Sequence, residues 1–301
     1  MITRARLATV VALLAGGSAA PTVHLTLDTA RGPVRLSETA SGTLARGVAW
    51  RPGAGGLEWT ELRLHGRGEV RRTLIVVARL DPARFSLSLE NGMAPGGLLH
   101  VWTLDQAPRD AALACNAGMF AGDGAWGWVV HRGTEYRAPG VGPLAAAVVV
   151  DSTGAVRLVD DREVEWLRSA GLGSVREAFQ SYPALLWEGT VPELLRVPGA
   201  EIKLQHRDAR LALGVDAEGR LLLALTRFDA LGPSLGSVPF GLTLPEMALV
   251  MRGLGAQSAV GLDGGISAQM LLRDAGGKVH RWSGMRPVPL GLSVTPVRLQ
   301  Q

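Results

Sequence analysis

The densest group of reactive and conformationally permissive residues in the chain is Asp263-Gly264-Gly265, with Ser267 two positions further on. The apolar run Ala259 to Leu262 reads as a short buried strand that ends abruptly at the acid, which places Asp263 at the exposed tip of a rigid element. Two glycines after it permit a sharp turn and let a ligand approach main-chain N–H groups. A carboxylate, a Gly-Gly turn and a hydroxyl within five residues suit a sugar or a phosphate; the competing reading is a tight turn built from its commonest residues. Arg210 enters an apolar run, where a guanidinium calls for an anionic partner or ligand. Asn116 ends another apolar run just before Gly118, either as a turn device or with its amide facing a cleft as donor and acceptor together. Trp126 and Trp128 follow it; each could stack on a sugar face or pack inside, and packing is expected of at least one.

Other candidates have simpler explanations. Asp216 and Glu218 sit in the turn Asp216-Ala-Glu-Gly219 and read as solvated turn acids. Glu246 stands three residues after Thr243, with Pro245 between them, which is a capping box at a helix start. Cys115 is the one cysteine, so no internal disulfide forms, and its apolar surroundings mark a small buried hydrophobe. The six histidines are dispersed, no zinc spacing occurs and no calcium loop is present, so neither a metal nor a cofactor is expected. The net charge of +4 is nearly all arginine, with Lys203 and Lys278 the only lysines, and is too scattered for a nucleic-acid surface.

The elements that must position these groups are mostly strands. Met1 to Ala20 carries Arg4 and Arg6, an apolar core from Leu7 to Leu14 and small residues up to Ala20, the pattern of a secretory signal peptide too short to span a bilayer comfortably. A secreted or periplasmic protein with no stable membrane span after cleavage is expected. Residues 21–45 read as a loose extension, and 46–301 as one domain, since no change of composition marks a linker. Trp59 to Leu64, Arg71 to Leu80 and Phe85 to Glu90 read as three strands of an antiparallel meander. Hairpins turn at Arg132-Gly133, Ser152 to Gly154 and Asp216 to Gly219; Asp161 to Phe179 is partly helical, with a break at Gly171 to Gly173. Thr243 to Gly253 is the clearest helix. The expected fold class is α+β: a single domain of mixed, largely antiparallel β-sheet with few helices.

Taken in order, Asn116-Ala-Gly-Met-Phe120, Gly127 to Gly133, Ser181-Tyr-Pro-Ala-Leu, Arg210 to Gly214, Thr243 to Gly255 and Leu262-Asp-Gly-Gly-Ile-Ser267 resemble the phosphodiester glycosidase family. The resemblance runs from about Gly47 to Val294 and ends in Arg286-Pro-Val-Pro-Leu-Gly-Leu. It implies hydrolysis at an anomeric carbon bonded to a phosphodiester oxygen, with a carbohydrate phosphodiester or an envelope glycan as partner. It further implies Asp263 as a carboxylate base or oxocarbenium stabiliser and Arg210 on the phosphate, these two being catalytic. Asn116, Gly264, Gly265, Ser267 and Trp126 would bind substrate, and Asp123 stands as a weak candidate for the second carboxylate. Two departures stand out: Arg210-Leu-Ala where the family often has Arg-Thr-Ala, and Leu225-Thr-Arg227 where it often has Asp-Gly-Arg. The second removes an acid, which leaves a non-catalytic glycan-binding or exopolysaccharide-assembly protein as the alternative.

Overall fold

A computed structural model describes residues 24–39, 41–67, 72–91, 101–122, 124–197, 203–228 and 241–297. The expected signal peptide and Asp123 lie outside these residues. The α+β expectation is met: three sheets of five or more strands carry the fold, with three α-helices among the described residues.

The largest sheet has nine strands. Along its main path the order is Ala184–Leu186, Ala256–Leu262, Leu211–Asp216, Leu221–Phe228, Thr73–Leu80, Glu58–Leu64, Leu25–Thr29 and Gly32–Leu36. Its central strands are apolar at nearly every position because both faces are covered. Leu74, Val76, Leu211, Leu213, Leu221, Leu223 and Val260 face one core, while Ile75, Val77, Ala212, Leu222, Ala224 and Ala259 face another. A strand buried on both sides loses the apolar-polar alternation that a half-exposed strand would show.

The first core is shared by all three large sheets. Val129, Val148 and Phe179 reach it from the five-stranded sheet built on Val175–Ser181, and Leu87, Leu113, Met270 and Leu292 from a second five-stranded sheet. In that last sheet Leu290–Pro296 lies between Leu113–Asn116 and Phe85–Asn91, pairing antiparallel with both. The second core lies beneath the helix Leu244–Gly253, which is buried on almost every side and packs on Leu185, Ala212 and Ala259.

Two expectations are corrected here. Phe85–Asn91 does not complete a meander with its predecessors: Thr73–Leu80 pairs with Glu58–Leu64 and Leu221–Phe228, and the 3-10 turn at Pro82–Arg84 sends the chain into another sheet. Nor is the stretch before Gly47 loose, because Leu25–Thr29 and Gly32–Leu36 form a hairpin whose Leu27 pairs with Leu64 on the large sheet. Alternate residues Leu25 and Leu27, with Leu36, supply apolar contacts to the second core, a pattern too short to stand out in the sequence.

The helix start is as read. Thr243 accepts from the Glu246 amide at 3.3 Å, Glu246 returns a bond to the Thr243 amide at 2.9 Å, and Arg207 adds an ion pair to Glu246 at 2.5 Å. Thr243→Ala removes one half of this box and should destabilise the protein by about 1 kcal/mol, read as a lower urea midpoint at unchanged slope.

Candidate active site

Sheet register brings the two principal residues together. Leu211 pairs with Leu262 on the neighbouring antiparallel strand, so Arg210, just before the one, and Asp263, just after the other, stand at the same end of the sheet. Both line a cleft of about 300 Å³ with Tyr182, His206, Asp208 and Gly264.

Asp263 is not at an exposed tip. It is 7% exposed and forms part of the cleft floor. Its amide donates to the Ala117 carbonyl at 3.2 Å, and its side chain takes hydrogen bonds from Ser267 and, at 3.3 Å, from Asn116 Nδ2. Burial drives its pKa up to about 6; the Ser267 and Asn116 bonds and the Arg286 charge oppose that rise, and Asp208 adds to it.

Asn116 does not face the cleft as expected. It is fully buried, its Nδ2 donates to both the main-chain and side-chain oxygens of Asp263, and its Oδ1 accepts from the Gln269 amide at 3.1 Å. With its amide committed in this way, it orients the acid from behind. Ser267 is likewise buried and turned onto Asp263.

The glycines serve close packing. A Cβ at Gly264 would lie 2.7 Å from the Ala209 carbonyl, and the Gly265 amide, at φ 61°, donates to that same carbonyl at 2.7 Å. The Gly265 N–H expected to meet a ligand is therefore spent on the neighbouring strand.

Arg210 is half-buried. Its Nε donates to the Leu242 carbonyl at 2.9 Å and its Nη2 to that of His206 at 2.6 Å, while its own amide donates to Thr226 Oγ1 at 2.7 Å. Burial lowers its pKa, and the charges of Asp208 and Glu246 offset part of that. Of the two tryptophans, Trp128 packs wholly inside and donates to Glu135 at 2.8 Å. Trp126 is half-buried, edge-on to Tyr182 with ring centroids 6.4 Å apart, and borders a second hollow beside the cleft.

Three residues were missed by sequence reasoning. Asp208 lines the cleft, accepts from the Ala209 amide at 2.9 Å and lies 3.7 Å from His206 Nε2. Its place two residues before Arg210 was the available signal. Arg286 lies over the Phe120 ring at 4.6 Å and acts electrostatically on Asp263. Arg227, in the departing Leu-Thr-Arg segment, is buried and donates to the carbonyls of Ala268 at 3.0 Å and Ser283 at 2.5 Å, which holds the chain just past Ser267. One acid was misjudged: Asp216 is buried and bonded to Arg220 at 2.7 Å, a turn support and not a solvated group. Cys115 is buried as expected, and burial pushes its thiol up to about 12. Among the described residues no three His, Cys, Asp or Glu side chains gather as a metal site, and no helix is long and apolar enough to cross a membrane.

Residues 109–295, which hold Asn116, Arg210 and Asp263, match the phosphodiester glycosidase family model. The chain belongs to the phosphodiester glycosidase family. Its fold is similar to the catalytic domain of zebrafish N-acetylglucosamine-1-phosphodiester alpha-N-acetylglucosaminidase, a structure auto-inhibited by its pro-peptide. That likeness has a TM-score of 0.59 at 17% identity and covers 86% of this chain and 94% of the other. A hypothetical protein from Synechocystis is also similar, with a TM-score of 0.52 at 16% identity over 80% of this chain and 62% of that one. No curated protein sequence matches.

As a member of this phosphodiester glycosidase family, the chain carries its central acid at an energetic cost to the fold. Because the Asp263 pKa is raised, the folded state holds a proton that the unfolded chain releases at lower pH, so stability from this group is present below pH 4 and lost as pH rises through about 6. Asp263→Asn should therefore stabilise the protein at pH 7 by about 2 kcal/mol, with the gain disappearing near pH 4, as measured by urea melts across that range.

Proposed function

We propose that this protein is an exported hydrolase that cleaves a sugar-1-phosphodiester at the bond between the anomeric carbon and the phosphate oxygen. The observation that carries the reading is the meeting of Asp263, Asp208 and Arg210 on one cleft large enough for a sugar ring. The family, and the activity of the similarly folded zebrafish enzyme, agree with it.

In this mechanism Asp263, ionised, faces the anomeric carbon and stabilises the positive charge that develops as the C–O bond breaks. Asp208 takes the proton of the attacking water, supplying the second carboxylate, in place of Asp123. The departing phosphate monoester carries its charge away with the bonding electrons, so little acid assistance is needed and cationic stabilisation matters more. Arg210 supplies it: its Nε and Nη2 are anchored on backbone carbonyls, and among the described residues nothing accepts from Nη1. Asn116 and Ser267 fix the orientation of Asp263, and Arg227 holds the segment from which Ser267 reaches it.

Hydrolysis of an N-acetylglucosaminyl phosphodiester by the purified protein should rise with pH up to about 6 and then level off, because the ionised Asp263 is the working form. Asp263→Asn should keep the fold and most ligand binding yet lower kcat by about 10³-fold, while Arg210→Lys should lower kcat/KM by about 10²-fold. Sugar binding without any turnover in the wild-type protein would instead favour the glycan-binding alternative. Export rests on the Met1 to Ala20 pattern; cell fractionation should find a shortened protein outside the cytoplasm, and full-length protein confined to the cytoplasm would contradict it.

A further inference from the structure

Beside the charged cleft lies a second hollow of about 410 Å³, lined by Met119, Phe120, Trp126, Val141, Pro143 and Tyr182. Met119 and Tyr182 line both spaces, so the two are adjacent. The contrast in lining is sharp. The cleft presents two carboxylates, a histidine, a lysine and a guanidinium, whereas among the described residues no charged side chain lines the side hollow.

Its walls are built to stay in place. Trp126 stands edge-on to Tyr182, and Gly140 makes room for the indole, since a Cβ there would lie 2.8 Å from the ring. Phe120 is held beneath Arg286, the cation that also acts on Asp263. Val141 is 94% exposed, an apolar side chain left in water at the rim.

We propose that this hollow is the aglycone subsite, taking an apolar, ring-bearing group esterified to the phosphate on the side away from the sugar. The inference rests on the phosphodiester reading above. A sugar is a poor occupant, because its hydroxyls would lose water against walls with few groups to replace those bonds. An apolar ring gains from the same walls, through buried area and edge or face contact with Trp126 and Tyr182. With the sugar at Asp263 and the phosphate near the guanidinium groups, the remaining ester arm is the part of the substrate left to enter the hollow.

Two substrates sharing the N-acetylglucosaminyl phosphate and differing only in a methyl or benzyl aglycone provide the test. The benzyl diester should have a kcat/KM at least about tenfold higher, and Trp126→Ala should bring that ratio to within about twofold of one. Val141→Asp should do the same by setting a carboxylate on the apolar wall at a site too exposed to affect folding. Binding of benzyl phosphate against methyl phosphate, measured by calorimetry on the same three proteins, repeats the comparison without turnover. If neither diester is cleaved but benzyl phosphate binds better and the variants abolish the preference, the subsite stands and the hydrolytic reading fails. Equal handling of the two aglycones in both measurements overturns the proposal. So does an equal loss on both in Trp126→Ala, which would set Trp126 against the sugar instead.

Discussion

The Asn116 amide holds two sheets together at the point where the chemistry is expected. It bonds the main-chain and side-chain oxygens of Asp263, 147 residues away, and accepts from Gln269 on the far side of the same turn. A buried amide left without those partners would lose its hydration with nothing in return, so the sheets can meet in one register only. The Gly-Gly turn, the placement of Ser267 and the grip of Arg227 on the following carbonyl all follow from that register.

Burial gives the site its electrical character. Asp263 is pushed toward neutrality by desolvation, and three neighbours restrain the push without abolishing it. Arg210 and Arg227 lie in the opposite situation, with guanidinium groups anchored chiefly on peptide carbonyls and not on acids. A carbonyl satisfies the N–H donors but leaves the guanidinium charge in place, and Asp208 and Glu246 offset part of that charge at Arg210.

Much of this was legible in the sequence, and the failures share a cause. The capping box at Thr243 and the hairpin turning at Asp216 to Gly219 are local, and local signals survive without knowledge of the fold. The abrupt end of an apolar run at Asp263 correctly marked a strand terminus beside a cleft. What could not be read was depth: Asp263 was expected at an exposed tip and Asn116 as a turn device or facing a cleft, and a second sheet packed over them supplies the burial. Phe85–Asn91 alternated as a strand should, yet periodicity carries no information about which sheet receives it. Asp208 went unnoticed although it stands two residues before Arg210, because that nearness gains meaning only once the pairing of Leu211 with Leu262 brings this end of the strand to the cleft.

The place of Leu290–Pro296 in its sheet governs when the site can form. The strand that ends in Asn116 is gripped on one flank by Met270–Arg273 and on the other by Leu290–Pro296, both made long after it. Closing contacts of such sequence separation is slow, and it cannot begin until the distant partner exists. Until Leu290–Pro296 is in place, the strand that carries Asn116 lacks one of its two flanks, so the clamp on Asp263 is among the late features of the fold.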